Sequence, residues 1–141
     1  AAQELSKKNC QAFNNPDNYL IVQEQVNHFQ EMILGFKRDA SFGPMLMIGQ
    51  GGIYAEVFKD VKLAVSDLNI EEARNLIASL KIYPILNGAR GQQKYDLKAV
   101  ADTLVKLAKL VNEHPEISEL DINPLFVFQK GVAAGDVRII L

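Results

Sequence analysis

The chain has 141 residues, enough for one domain with its own core and no need of a disulfide or metal staple. Its 48% hydrophobic and 23% charged residues are near the average of a soluble globular domain. A net charge of −2 leaves no basic stripe for nucleic acid or anionic lipid, and no apolar run approaches the roughly 18 residues of a membrane span. The polar opening "AAQELSKKNC" does not read as a signal peptide, and the single Cys10 excludes an internal disulfide. Together these point to a cytoplasmic domain.

In chain order, residues 2–13 suit a short leading helix closed by the breaker "NNPD". Strand patterns follow in "YLIVQEQV" (19–26) and "QEMILGFKRD" (30–39), and "FGP" signals a turn before the buried run "MLMIG". "GQGG" interrupts, and "IYAEVFKD" and "VKLAVSDL" both read as strands. Two helices then carry clear signals. Asn69 caps the first with Glu72 as capping-box partner, and Ala73, Leu76, Ile77 and Leu80 share one face, ending before Pro84. Asp96 caps the second, whose apolar face is Leu97, Val100, Ala101, Leu104, Ala108 and Val111, ending before Pro115. Strands return in "ISELDI", "LFVFQK" and "VAAGDVRIIL", the last two turning about Gly131. Connections this short do not permit parallel crossovers, so the fold class is α+β: a largely antiparallel sheet with the two main helices on one face.

No nucleophile with a base is visible, and His28 and His114 read as isolated surface histidines. "GQGG" fits a phosphate cradle or a tight connection; it lacks the lysine of a P-loop and leads into a strand. "KRD" at 37–39 and "GARG" at 88–91 admit either an anion contact or an ordinary loop, with Arg90 able to bind a phosphate or carboxylate bidentately. "SELDINPLFVF" sets Asp121 and Asn123 at what reads as a corner between two strands. Turn chemistry explains it, and so does half of a hard-cation site. Asp136 tips the balance. An acid inside an apolar run is costly unless paired, and the hairpin returns it beside Asn123. An Asn oxygen with an Asp carboxylate is a common way to hold Mg²⁺, with phosphates and waters completing the octahedron.

The ordered set "EMILGFKRDASFGPMLMIGQGGIYAEVFKDVKLAVSDL", "YPILNGARG" and "ELDINPLFVF…GDVRIIL" resembles the second half of an ATP-grasp domain. The branch it resembles is that of the ADP-forming acyl-CoA synthetases (acetate–CoA ligase type), relatives of the succinyl-CoA synthetase β subunit. The match runs from about Tyr19 to Leu141, leaving 1–18 as a leading helix or linker. The resemblance implies ATP/ADP and Mg²⁺ as cofactors, with Asn123 and Asp136 as metal ligands. It implies Asp121 near the phosphoryl-transfer centre and Arg90 as a second catalytic candidate. It also implies an adenine hinge at Gln23, Glu24, Gln25 and Val26, and Glu31 contacting ribose or metal-bound water. The family's phosphate-holding lysines belong to a preceding half that would lie before Tyr19, so the chain is expected to be a fragment, inactive alone. Its expected partners are that half, the CoA-binding and phosphohistidine domains and a nucleotide, with a homo-oligomer open and neither nucleic acid nor membrane expected. The rival reading is a ligand-sensing, ligase-like region of a protein acetyltransferase.

Overall fold

The computed structural model describes residues 25–27, 29–52, 55 and 59–141. The leading helix and linker, and the hinge residues Gln23 and Glu24, lie outside them. Among the described residues, six strands form one antiparallel sheet: β1 (Gln30–Asp39), β2 (Gly43–Gln50), β3 (Val61–Val65), β4 (Glu119–Val127), β5 (Val132–Ala134) and β6 (Val137–Ile140). The order is β3-β2-β1-β4, with β5 and β6 sharing the outer edge of β4. Between β3 and β4 come α1 (Ile70–Ala78), the one-turn α2 (Tyr83–Leu86) and the long α3 (Leu97–Glu113). The expected α+β architecture, with helices against one sheet face, is what forms.

Alternation on the strands builds the core. Met32, Leu34 and Phe36 of β1, Leu46 and Ile48 of β2, and Leu120, Leu125 and Val127 of β4 are buried. They meet Ala73 and Ile77 of α1 and Val100, Ala101, Leu104, Leu107, Ala108 and Val111 of α3. The capping box at α1 is present: Asn69 accepts from the Glu71 and Glu72 N–H groups, and Glu72 accepts from the Asn69 N–H at 2.9 Å. Asp96 caps α3 through the Ala99 N–H at 2.9 Å and also accepts the Gly131 N–H at 2.8 Å, tying the helix start to the β4–β5 turn. Those two N–H groups, Gly131 first, hold the Asp96 carboxyl below the ordinary carboxylate range.

Several local expectations need correction. The corner at Asp121–Pro124 is not a reversal, because β4 runs continuously through it. Met32 pairs with Leu125 and Leu34 with Ile122, so β4 carries one extra residue there: a bulge that keeps both halves paired to β1. The run 132–141 is two short strands parted at Gly135–Asp136, where a Cβ on Gly135 would fall 2.7 Å from the Phe126 ring. The first helix ends before Pro84 as expected, but already at Ala78, and Pro84 sits in the first turn of α2, where a proline removes no helical bond. Leu80 is buried beyond the helix end. The strand expected over 53–60 fails at Ala55, which is helical; most of that segment lies outside the described residues. Gln25 and Val26 carry no strand structure.

Candidate functional site

Among the described residues, the sheet face away from the helices is open and carries two hollows. One, of about 400 Å³, is a cleft at the β4 bulge lined by Val26, Pro124, Phe126, Ala133 and Asp136, among others. The other, of about 470 Å³, lies toward the β1–β2 turn and includes Lys37, Met45, Met47, Leu63, Glu119 and Asp121.

The cleft follows from the bulge. Where β4 gains its residue, the edge lane breaks, and Gly135 and Asp136 cross opposite Asn123 and Pro124. The Asn123 N–H donates to the Asp136 carbonyl at 3.1 Å, and the Gly135 N–H donates to the Pro124 carbonyl at 2.8 Å. Asn123 and Asp136, thirteen positions apart by number, are therefore neighbours. Asp136 is exposed, which corrects the expectation of an acid buried in an apolar run. It lies between the two short edge strands, beyond helix cover, where Val137 and Ile139 are also about half exposed. Water can solvate the carboxylate there, so the position needs no buried partner.

Glu31 pairs with Phe126 across β1 and β4, which puts both side chains on the open face beside the cleft. Asp121 faces Gly35 on one side and Arg138 on the other, and lines the larger hollow instead of the cleft. Arg90 lines neither. It is exposed in the three-residue 3₁₀ turn Ala89–Gly91 at φ 55°, between Gly88 and Gly91, both also at positive φ. That loop is anchored near the β4–β5 turn, where the Gln129 side chain donates to Gln93 at 2.6 Å and the Asp96 N–H to the Phe128 carbonyl at 2.8 Å. The structure thus brings Asn123 beside Asp136, at a cleft that Val26 and Asp136 line, and Glu31 beside the Phe126 of that cleft; it leaves Asp121 and Arg90 in separate places.

The remaining motifs resolve unequally. In "KRD", Arg38 is structural: its guanidinium donates to the carbonyls of Val111 (2.6 Å), Ile117 (2.8 Å) and His114 (3.1 Å), closing the C-terminus of α3. Asp39 accepts the Ser41 and Phe42 N–H groups of the β1–β2 turn, which lowers its carboxyl from the ordinary value. In "GQGG", Gly51 and Gly52 press against Glu31. Asp60, which no sequence motif singles out, is 3% exposed and accepts two backbone N–H groups at the start of α2. His114 is exposed and bonded to Glu116, as a surface histidine should be.

Among the described residues, no three His, Cys, Asp or Glu side chains gather into a self-sufficient metal cage. Asn123 and Asp136 fit a hard cation in another way: both are exposed, carry side-chain oxygens and are in backbone contact beside an open cleft, which leaves room for phosphate and water ligands. No helix among the described residues is long and apolar enough to cross a membrane.

An open antiparallel sheet backed by helices, with acids gathered at one bulged strand, is the architecture of an ATP-grasp subdomain, and the chain belongs to the ATP-grasp family: the family's ATP-grasp domain pattern matches residues 1–141. More particularly, the relatives are ADP-forming acetate–CoA ligases. The chain is 43% identical over 122 residues to acetate–CoA ligase (ADP-forming) I of Archaeoglobus fulgidus, covering 86% of this chain and 18% of that protein. It is 46% identical over 112 residues to the β subunit of the Pyrococcus furiosus isoenzyme I, covering 79% of this chain and 48% of the subunit. The chain therefore spans less than half of either. The dinucleotide-forming acetyl-coenzyme A synthetase 1 of Ca. Korarchaeum cryptofilum, solved with coenzyme A and Mg-AMPPCP, superposes with a TM-score of 0.85 at 35% identity. That match covers all of this chain and 64% of the other, in which a phosphohistidine segment points towards the nucleotide-binding site.

Proposed function

We propose that this chain forms the Mg-nucleotide half-site of an ADP-forming acyl-CoA synthetase, whose overall reaction is acyl-CoA + ADP + Pi ⇌ carboxylate + CoA + ATP. The observation that carries the reading is the backbone juxtaposition of Asn123 and Asp136 at the β4 bulge, beside a cleft that Asp136 and Val26 line. The Asn123 side-chain oxygen and the Asp136 carboxylate hold Mg²⁺, which when bound neutralises phosphate charge during phosphoryl transfer. Backbone groups over Gln23, Glu24, Gln25 and Val26 meet the adenine of ATP or ADP; only Gln25 and Val26 are among the described residues. Glu31, beside Phe126, reaches ribose or a metal-bound water. Asp121 acts from the adjoining hollow, close to the transferring phosphoryl group, and Arg90 is carried on an exposed glycine-flanked loop suited to closing on an anion.

The open face is consistent with a half-site. Phosphoryl-transfer catalysis is mostly positioning and charge stabilisation, and a one-sided sheet offers only half of a clamp. A preceding ATP-grasp half supplies the other side, and CoA-binding and phosphohistidine domains elsewhere in the parent protein handle the acyl group. The partial coverage of the relatives supports that division. The test is calorimetric binding of a non-hydrolysable ATP analogue to the full-length protein over a range of Mg²⁺ concentrations. Wild type should show affinity that rises with Mg²⁺. Asp136→Asn should retain weak, Mg-independent binding, and an unchanged Mg²⁺ response in that variant would sink the proposal.

A further inference from the structure

Glu31 is held from behind by a piece of backbone that leaves no room for a side chain. The Gly51 N–H donates to the Glu31 carbonyl at 2.9 Å, and a Cβ on Gly51 would lie 3.0 Å from the Glu31 backbone carbon and 3.1 Å from its Cβ. Gly52 sits at φ +79°, and a Cβ there would fall 2.7 Å from Glu31 Oε2. The glycine segment is itself braced from the other side by Asp60. The Asp60 carbonyl accepts the Gln50 N–H at 3.0 Å and lies where a Cβ on Gly49 would come within 2.8 Å. Its buried carboxylate accepts the Lys81 and Ile82 N–H groups, each at 2.9 Å, fixing the brace to α2.

Resting on the nucleotide reading of the cleft, we propose that Gly51 and Gly52, braced by Asp60, are positioning residues that fix the Glu31 carboxylate on the open sheet face, one strand away from the Phe126 that lines the cleft. The mechanism is shape. A glutamate has three side-chain torsions to fix, and a backbone wall packed against its tip removes the conformers that swing away, so less ordering is left to be done on binding. Glycine is required at position 52 twice over: for its positive φ, and because any Cβ would displace the carboxylate.

The two requirements can be separated. Gly43, in the β1–β2 turn, has φ +73°, and a Cβ there would meet nothing within 4 Å, so Gly43→Ala introduces backbone strain alone. In the full-length protein, the affinity for Mg²⁺ with a non-hydrolysable ATP analogue and the melting temperature are measured for Gly52→Ala, Glu31→Ala, the double variant and Gly43→Ala. Gly52→Ala and Glu31→Ala should each weaken binding about tenfold, and the double variant should be no worse than either. The melting-temperature loss of Gly52→Ala should shrink once Glu31→Ala removes the carboxylate, while Gly43→Ala loses melting temperature with unchanged affinity. An unchanged affinity in Gly52→Ala or in Glu31→Ala overturns the proposal, as do fully additive effects. If Gly52→Ala does not fold, recovery of folding in the double variant supports it, and no recovery overturns it. Asn123→Ala tests the cleft separately: if it leaves Mg-nucleotide binding intact, the nucleotide reading fails whatever Glu31 does.

Discussion

On the helix side of the sheet, Met32, Leu34, Leu46 and Ile48 have no exposed surface, while on the open side Leu63 is 63% and Val65 55% exposed. Both rows come from neighbouring strands with the same alternation. The difference lies in what covers them. α1 and α3 close one face with complementary apolar stripes, whereas the other carries apolar groups interspersed with Glu31, Lys37, Glu119 and Asp121 and is left uncovered by the described residues. The two faces therefore differ in kind: one provides folding stability, and the other is the face to which the proposed function assigns ligand and partner.

Substitutions should separate along the same line. Leu34→Ala and Leu104→Ala each remove a fully buried side chain and should cost about 2–5 kcal/mol in denaturant unfolding. Asp96→Ala comes next, at about 1–2 kcal/mol, because it removes the cap of α3 and the partner of the Gly131 N–H. Its pH signature has a definite sign. The folded-state carboxyl lies below its unfolded value, so its stabilisation is present above the unfolded pKa and lost as pH falls through the folded one. Melting temperature against pH should fall less steeply on the acid side for Asp96→Ala than for wild type, and parallel curves would remove Asp96 from the acid transition. Smallest is Leu63→Ser on the open face, expected within about 0.5 kcal/mol of wild type and reducing any self-association seen by light scattering. A loss matching Leu34→Ala would mean that the open face is part of the core.

What the sequence disclosed were features governed by neighbours along the chain. The capping box at Asn69–Glu72, the Asp96 cap and the Gly131 turn involve residues a few positions apart and form as read. What it concealed depended on register. Nothing local distinguishes a reversal at Asp121–Pro124 from a bulge, since the deciding fact is that β1 pairs with both sides of it. Asp136 looked buried because its neighbours are apolar, but an edge strand beyond the helices exposes apolar and acidic groups alike. Arg38 and Asp60 were illegible for the same reason. Their partners lie at Val111 and Ile117, and at Lys81 and Ile82, far along the chain. The proximity of Asn123 and Asp136 was legible in outline, because a hairpin about Gly131 returns Asp136 towards Asn123 whatever the burial.

The most direct test of the division between faces is a double-mutant cycle on that pair in the full-length protein, reading Mg-ATP-dependent ligase turnover together with metal-free melting temperature. Asn123→Ala and Asp136→Asn touch no core side chain, so neither should move the melting temperature by more than the equivalent of about 0.5 kcal/mol. Each should lower turnover by about a hundredfold or more, and the double variant should be little worse than either, because two ligands of one ion fail as a unit. Near-normal turnover in Asp136→Asn, or losses that simply multiply in the double variant, would contradict the account and return the β4 bulge to ordinary backbone chemistry.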